Sequence, residues 1–249
     1  MQPVIKLYGE RNTGTNYLSQ LVDLNLCVSQ LNGVIAPWLS KIQKRWGRRQ
    51  SISDLYFSIT FPYNLGWKHS AALPPEYLSA FRVVQCGVCF ITLTKNPYSW
   101  LLSMYRRPYT QAFEKVQSLE DFIERPWKAT KRDKIGVVDL DSPVDLWNIK
   151  NRSYQHLSKL NTINLKSETL IANPNCIIEN ICSHFGISNG NKTFTDHPAS
   201  TKEKGKKSED YRDYYLNEKW RAELSDEHIK NINRRLDPAL MHHFGYAML

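Results

Sequence analysis

The sequence predicts an α/β fold, a central parallel sheet with helices packed on its faces. Two observations point to it. Short apolar runs of strand character alternate with stretches of helical spacing along the chain, and the first such run ends in a glycine-bearing loop that opens a helix. Composition agrees with a packed chain: 41% of the 249 residues are hydrophobic and 23% charged, which excludes disorder over most of the length. That length sits near the upper end for one hydrophobic core, so a single domain over residues 1–249 is expected. No run approaches the roughly 18 uninterrupted apolar residues of a membrane-spanning helix.

Taken in order, Val4 to Leu7 reads as a short buried strand, Gly9 to Asn16 as a polar loop, and Tyr17 to Leu26 as a helix. Residues 33–65 look irregular, rich in aromatic and basic side chains, and are expected to form an insertion capping the sheet. Cys89 to Leu93 is the clearest central strand, and Pro97 opens a helix carrying Trp100, Leu101, Met104 and Tyr105, since proline suits a first helical turn. Residues 106–145 form a second expected insertion, basic and exposed over 125–136. Val144 to Leu160 reads as an amphipathic helix, Thr162 to Leu165 as a strand, and Cys176 to Phe185 as a helix stopped by Gly186. Ser200 to Ser208 is a lysine-rich loop, and closing helices are expected over Tyr211 to Trp220 and Asp226 to Leu236.

The loop Gly9-Glu10-Arg11-Asn12-Thr13-Gly14-Thr15-Asn16 has the G-x-x-x-x-G spacing of a P-loop between strand and helix. Successive backbone N–H groups and the positive end of the helix dipole bind phosphate at such a place. Thr15 and Asn16 stand where a nucleoside-triphosphate loop carries Lys and then Ser or Thr. The loop therefore lacks the lysine that reaches the β- and γ-phosphates, which counts against an ordinary ATP or GTP hydrolase.

Lys and Arg total 33 against 24 Asp and Glu, a net charge of +9, and such a balance favours an anionic ligand or partner. The basic cluster Lys41 to Arg49 reads either as a solvated face or as a mouth that attracts an anionic acceptor. Five cysteines, an odd count, and no apolar signal core in the opening MQPVIKLYG lead to the expectation of a reducing, cytoplasmic setting. The Cys86–Cys89 pair runs into an apolar strand and reads as structural.

Four segments, in order along nearly the whole chain, resemble the sulfotransferases that use 3′-phosphoadenosine 5′-phosphosulfate (PAPS). Thr13-Gly14-Thr15 is similar to that family's 5′-phosphosulfate loop. Trp67-Lys68-His69, followed by Leu73-Pro74-Pro75-Glu76, is similar to its K-x-H-L-P-P-E stretch. Lys95-Asn96-Pro97 with Ser103 eight positions on from the lysine is similar to its R-N-P and serine. Lys204-Gly205-Lys206, then Asp210 to Tyr215, is similar to its basic C-terminal loop and helix. The resemblance implies a three-layer P-loop-type fold and PAPS as donor, with no metal required. It also implies His69 as catalytic base, and Lys95, Ser103, Lys204, Gly205 and Lys206 as the grip on the 3′-phosphate.

Three positions depart from the family pattern. Asn12 stands where Lys or Arg precedes the S/T-G-T, Lys95 replaces an arginine and loses its bidentate fork, and Ser167 replaces an adenine-contacting tyrosine. Trp38, Trp46 and Tyr63 are the alternatives for stacking on the base. In sulfuryl transfer, negative charge grows on the bridging oxygen of the leaving bisphosphate, so a cation belongs there. Arg11 is the candidate, with Asn12, Thr13, Gly14, Thr15 and Asn16 holding the 5′-phosphate. His69 suits the base because neutral imidazole is abundant near neutral pH. The expected acceptor is a hydroxyl of a carbohydrate, glycolipid or small metabolite, anionic ones included. The competing readings are a P-loop small-molecule kinase and a non-catalytic nucleic-acid binder, the latter without any recognised motif.

Overall fold

Val4–Gly9 (β1) is the strand from which the sheet grows in both directions. In the computed structural model, which describes residues 2–46, 49–108, 116–188, 193–197 and 208–249, β1 is followed by the helix Thr15–Asn25 (α1) and the two-residue strand Ser29–Gln30 (β2). Helices Pro37–Trp46 (α2) and Gln50–Asn64 (α3) come next, then short turns of helix at Pro75–Leu78 (α4) and Arg82–Gln85 (α5). Val88–Thr94 (β3) leads into Pro97–Arg106 (α6) and Leu119–Glu124 (α7). A small antiparallel pair, Trp127–Lys128 (β4) with Asp139–Leu140 (β5), brackets a 3₁₀ turn at Lys131–Asp133. Pro143–His156 (α8), Thr162–Lys166 (β6), Ser167–Ala172 (α9) and Pro174–Phe185 (α10) follow. Ser208–Leu216 (α11), Asp226–Asn233 (α12) and Pro238–His243 (α13) close the chain.

The main sheet is parallel throughout, in the order β2-β1-β3-β6. Side chains alternate across it, as strand geometry requires. Ile5 and Leu7 of β1, with Cys89, Ile91 and Leu93 of β3, meet Leu18 and Leu21 of α1 and Ile177, Ile178 and Ile181 of α10. Tyr8 and Phe90 point the other way, into a larger cluster with Trp100 of α6 and Trp147 and Tyr154 of α8. Helix, sheet and helix thus form three layers, the α/β architecture expected.

The order of strands decides where a ligand can sit. The chain leaves β1 toward β2 on one side and returns to β3 on the other, so the direction of winding reverses between β1 and β3. In open parallel sheets the crevice outside the carboxyl ends of the strands at such a point is the natural binding place.

Three expectations need correction. Residues 33–65 are not irregular: they form α2 and α3, lying side by side with Gln43 Nε2 donating to Ser53 Oγ (3.1 Å). The 125–136 stretch is exposed only in part: Lys128 and Lys131 are exposed, whereas Trp127 and Asp133 are fully buried, Asp133 facing buried cations. The helix expected over Tyr211 to Trp220 ends at Leu216, and a 3₁₀ turn follows at Lys219–Glu223. Among the described residues no helix is long and apolar enough to cross a membrane. All five cysteines are free thiols, with Cys89 buried in the sheet and Cys86 exposed.

Candidate active site

The loop after β1 is shaped by two glycines. A Cβ on Gly9 would lie 2.8 Å from the Leu93 carbonyl oxygen and 2.7 Å from Thr15 Cγ2, so only glycine lets β1 pass so close to β3 and α1. Gly14 has φ of 93° and caps α1 in the left-handed region without any side-chain cap, a conformation glycine adopts at little cost. The first backbone N–H groups of α1 therefore point outward without a side-chain acceptor, the arrangement that receives an anion. Between the glycines, Thr13 Oγ1 donates to the Glu10 carbonyl (2.6 Å), and Ser167 Oγ lies 2.5 Å from the Thr13 carbonyl and 2.8 Å from that of Thr94. Ser167 thus clamps the loop to the end of β3.

A cation missing from the loop itself arrives from elsewhere. Lys68 Nζ donates to Asn16 Oδ1 on the first turn of α1. Its backbone is held in place by Gly9 N donating to the Lys68 carbonyl (2.9 Å) and Lys68 N donating to the Gly33 carbonyl (3.0 Å). No spacing in the sequence marks Lys68 for this place beside the loop, although it stands next to His69.

His69 follows directly, and its ring is oriented by one decisive contact. Nδ1 lies 2.7 Å from the Gly9 carbonyl oxygen, which can only accept, so Nδ1 carries the proton and Nε2 keeps its lone pair. Burial, then the neighbouring Lys68 and more weakly Arg11 and Lys150, hold this imidazole well below its ordinary pKa, against the opposing pull of the Gly9 bond. The ring is neutral at neutral pH, with its basic nitrogen Nε2. Trp67 meets it edge-on at 5.0 Å.

Arg11 is turned inward. Its Nε donates to Glu10 Oε1 (2.9 Å), Nη2 lies 3.7 Å from Asp133 Oδ1, and the guanidinium faces the Trp67 ring at 5.2 Å. Beneath it Lys150, fully buried on α8, bridges Glu10 and Asp133 and also donates to the His69 carbonyl (2.6 Å). Burial alone would raise the Asp133 carboxyl, but Lys150 and Arg11 outweigh it and keep the group well below the usual range. Two carboxylates and two cations in one buried cluster tie the base of the loop to the His69 segment. Neither Asp133 nor Lys150 carries any local sequence signal for this.

The second anion-competent group sits just after β3 and on α6. Lys95 Nζ donates to Ser103 Oγ (2.9 Å) and lies 3.4 Å from the Asn12 carbonyl oxygen, while Asn12 Nδ2 donates to the Ser103 carbonyl (3.1 Å). Lys95, Ser103 and the loop therefore share the carboxyl end of the sheet. Tyr215 of α11 completes the cluster, its ring 3.9 Å from Lys95 Nζ and its hydroxyl 3.2 Å from Ser103 Oγ. Burial raises this phenol, but Lys95 and Ser103 more than offset it and leave its pKa below the ordinary value. Lys204, Gly205 and Lys206 lie outside the described residues, as does the side chain of Trp46. Trp38 and Tyr63 are largely exposed on α2 and α3.

No protein-family model matches the chain, and no curated protein matches it. Among solved structures it is similar to a "Sulfotransferase Domain from the Curacin Biosynthetic Pathway", at 11% identity and a TM-score of 0.41, over 100% of this chain and 99% of that one. So distant a likeness does not establish kinship.

Proposed function

We propose that this protein is a sulfotransferase that uses PAPS as donor and an alcohol as acceptor. The observation that carries the reading is a juxtaposition at the carboxyl end of the sheet. There an uncapped helix start, the Lys95–Ser103 pair and a neutral imidazole with a free Nε2 lone pair come together. The residues fit the two phosphates of such a donor: backbone N–H groups of Thr15 and Asn16 with Thr13 and Lys68 for the 5′ end, Lys95 and Ser103 for the 3′ end. When bound, the donor supplies an activated sulfuryl group.

His69 Nε2 accepts the acceptor's hydroxyl proton as its oxygen bonds to sulfur, while the sulfur–oxygen bond to the 5′-phosphate breaks. Lys68, fixed at the start of α1, stabilises charge growing on the leaving oxygen. We assign it this part in preference to Arg11, whose guanidinium is engaged with Glu10 and Asp133; Arg11 then holds the loop rather than the leaving group. Acceptors expected are carbohydrates, glycolipids or small metabolites.

The test is transfer of label from PAPS to a panel of such acceptors. His69→Ala is expected to lower turnover by about 10²- to 10⁴-fold while leaving binding of 3′,5′-adenosine bisphosphate intact. Wild-type turnover should stay level through neutral pH and decline only well below the ordinary imidazole pKa, because the base is already neutral. Undiminished transfer by His69→Ala removes His69 from the mechanism, and phosphoryl transfer from ATP in place of sulfuryl transfer makes the protein a kinase.

A further inference from the structure

A surface helix normally has one apolar stripe, which faces the core. Helix α3 has two. Phe57 and Phe61 lie on its buried side, whereas Ile52, Leu55, Ile59 and Tyr63 are exposed, Leu55, Ile59 and Tyr63 by 61%, 65% and 78%. Their spacing of three, four and four residues puts the exposed four on one stripe, opposite the phenylalanines. On the adjoining helix α2, Trp38 and Ile42, one turn apart, are exposed as well. A concentration of exposed apolar side chains of this size marks a surface that meets something.

The charge of the same segment says what. Lys41, Lys44, Arg45 and Arg49 flank the apolar positions and are exposed. The one acidic residue between positions 34 and 64 is Asp54, and it is turned inward to Arg132 (2.9 Å). Pairing this face with a second copy of itself would set lysines and arginines against one another, which is costly. A layer of anionic lipid headgroups above an apolar boundary satisfies both features, and Trp and Tyr rings are suited to that depth.

We propose that the outer faces of α2 and α3 form a docking surface for membranes bearing anionic lipid. The buried side of α3 leads inward through Phe57 to Trp67 (6.4 Å between ring centroids) and so to His69. Docking therefore holds the candidate site one helix behind the lipid surface. Membrane binding needs no nucleotide, so it is measured separately from transfer.

The experiment is co-sedimentation of the full chain with vesicles of phosphatidylcholine alone or with phosphatidylserine. Binding is expected on the mixed vesicles, weakening as salt rises. Leu55→Ser with Ile59→Ser should reduce it by at least about tenfold. Lys41→Gln with Lys44→Gln should reduce it by about fivefold for each lysine. All four positions are exposed, and circular dichroism checks that each variant stays folded. Failure of the wild type to bind mixed vesicles, or equal binding by folded variants, overturns the proposal. So does a concentration-dependent dimer, abolished by the serine pair and indifferent to lipid, because it gives the face to a second copy.

Discussion

His69, Lys68 and Lys150 draw their properties from neighbours rather than from their own chemistry. A carbonyl from β1 fixes which imidazole nitrogen is basic, and a lysine brought in beside the ring stands where the loop lacks one. The buried cluster of Glu10, Arg11, Asp133 and Lys150 is close to neutral as a whole, and its worth lies in the partnership. Replacing Lys150 by Met removes one of the two cations and strands charge inside. Breaking a buried pair in this way typically costs about 3–5 kcal/mol, so urea unfolding of Lys150→Met should show a loss of that order. A loss below about 1 kcal/mol would mean the carboxylates find other partners. His69 was legible because it sits in a recognisable stretch with Lys68 and Leu73-Pro74-Pro75-Glu76. Asp133 was not, because nothing around it announces a partner on α8 or a carboxylate 140 residues from Lys150.

At the scale of elements, β1 is held to the end of α3 by a lysine. Lys6 is fully buried, and its Nζ donates to the carbonyls of Asn64 (2.6 Å) and Gly66 (2.5 Å), around the left-handed turn at Leu65. Burial, with Lys68 nearby, lowers its pKa from 10.5 to about 7. Between those values the unfolded chain binds a proton that the folded chain does not, so stability should rise with pH across that window. The slope is up to about 1.4 kcal/mol per pH unit. Urea midpoints measured at several pH values below the range where tyrosines ionise should show this rise, and Lys6→Met should flatten it. An equal slope in the variant would assign the rise to another group.

Elements with one clean pattern were readable: β1, the glycine loop and the start of α1 follow from an apolar run, two glycines and a change of period. Helix α3 was not, because apolar residues on both its faces hide the single stripe by which helices are recognised, and Pro62 lies inside it. The short strand β2 and helix α9, a few residues each, are too brief to carry a period.

For the whole molecule, the reversal of winding between β1 and β3 does most to create the site. It brings the loop after Gly9, the cation–serine pair of Lys95 and Ser103, and the clamp of Ser167 to one end of one sheet, although up to about 150 residues separate them in sequence. Parallel pairing sets Gly9 opposite Leu93, two residues before Lys95. The net charge of +9 adds a long-range pull on anionic ligands that salt will weaken.

The proposed donor binding depends on Lys95 and Ser103 receiving a second phosphate beside the loop. The most direct measurement is the affinity of wild type and Lys95→Met for 3′,5′-adenosine bisphosphate and for AMP, which lacks the 3′-phosphate. A charged hydrogen bond contributes about 1.5–3 kcal/mol, so wild type should prefer the bisphosphate by roughly tenfold to a hundredfold. Lys95→Met should erase that preference while leaving AMP binding unchanged. Equal affinity of the wild type for the two nucleotides, or an equal loss of both in the variant, would contradict it.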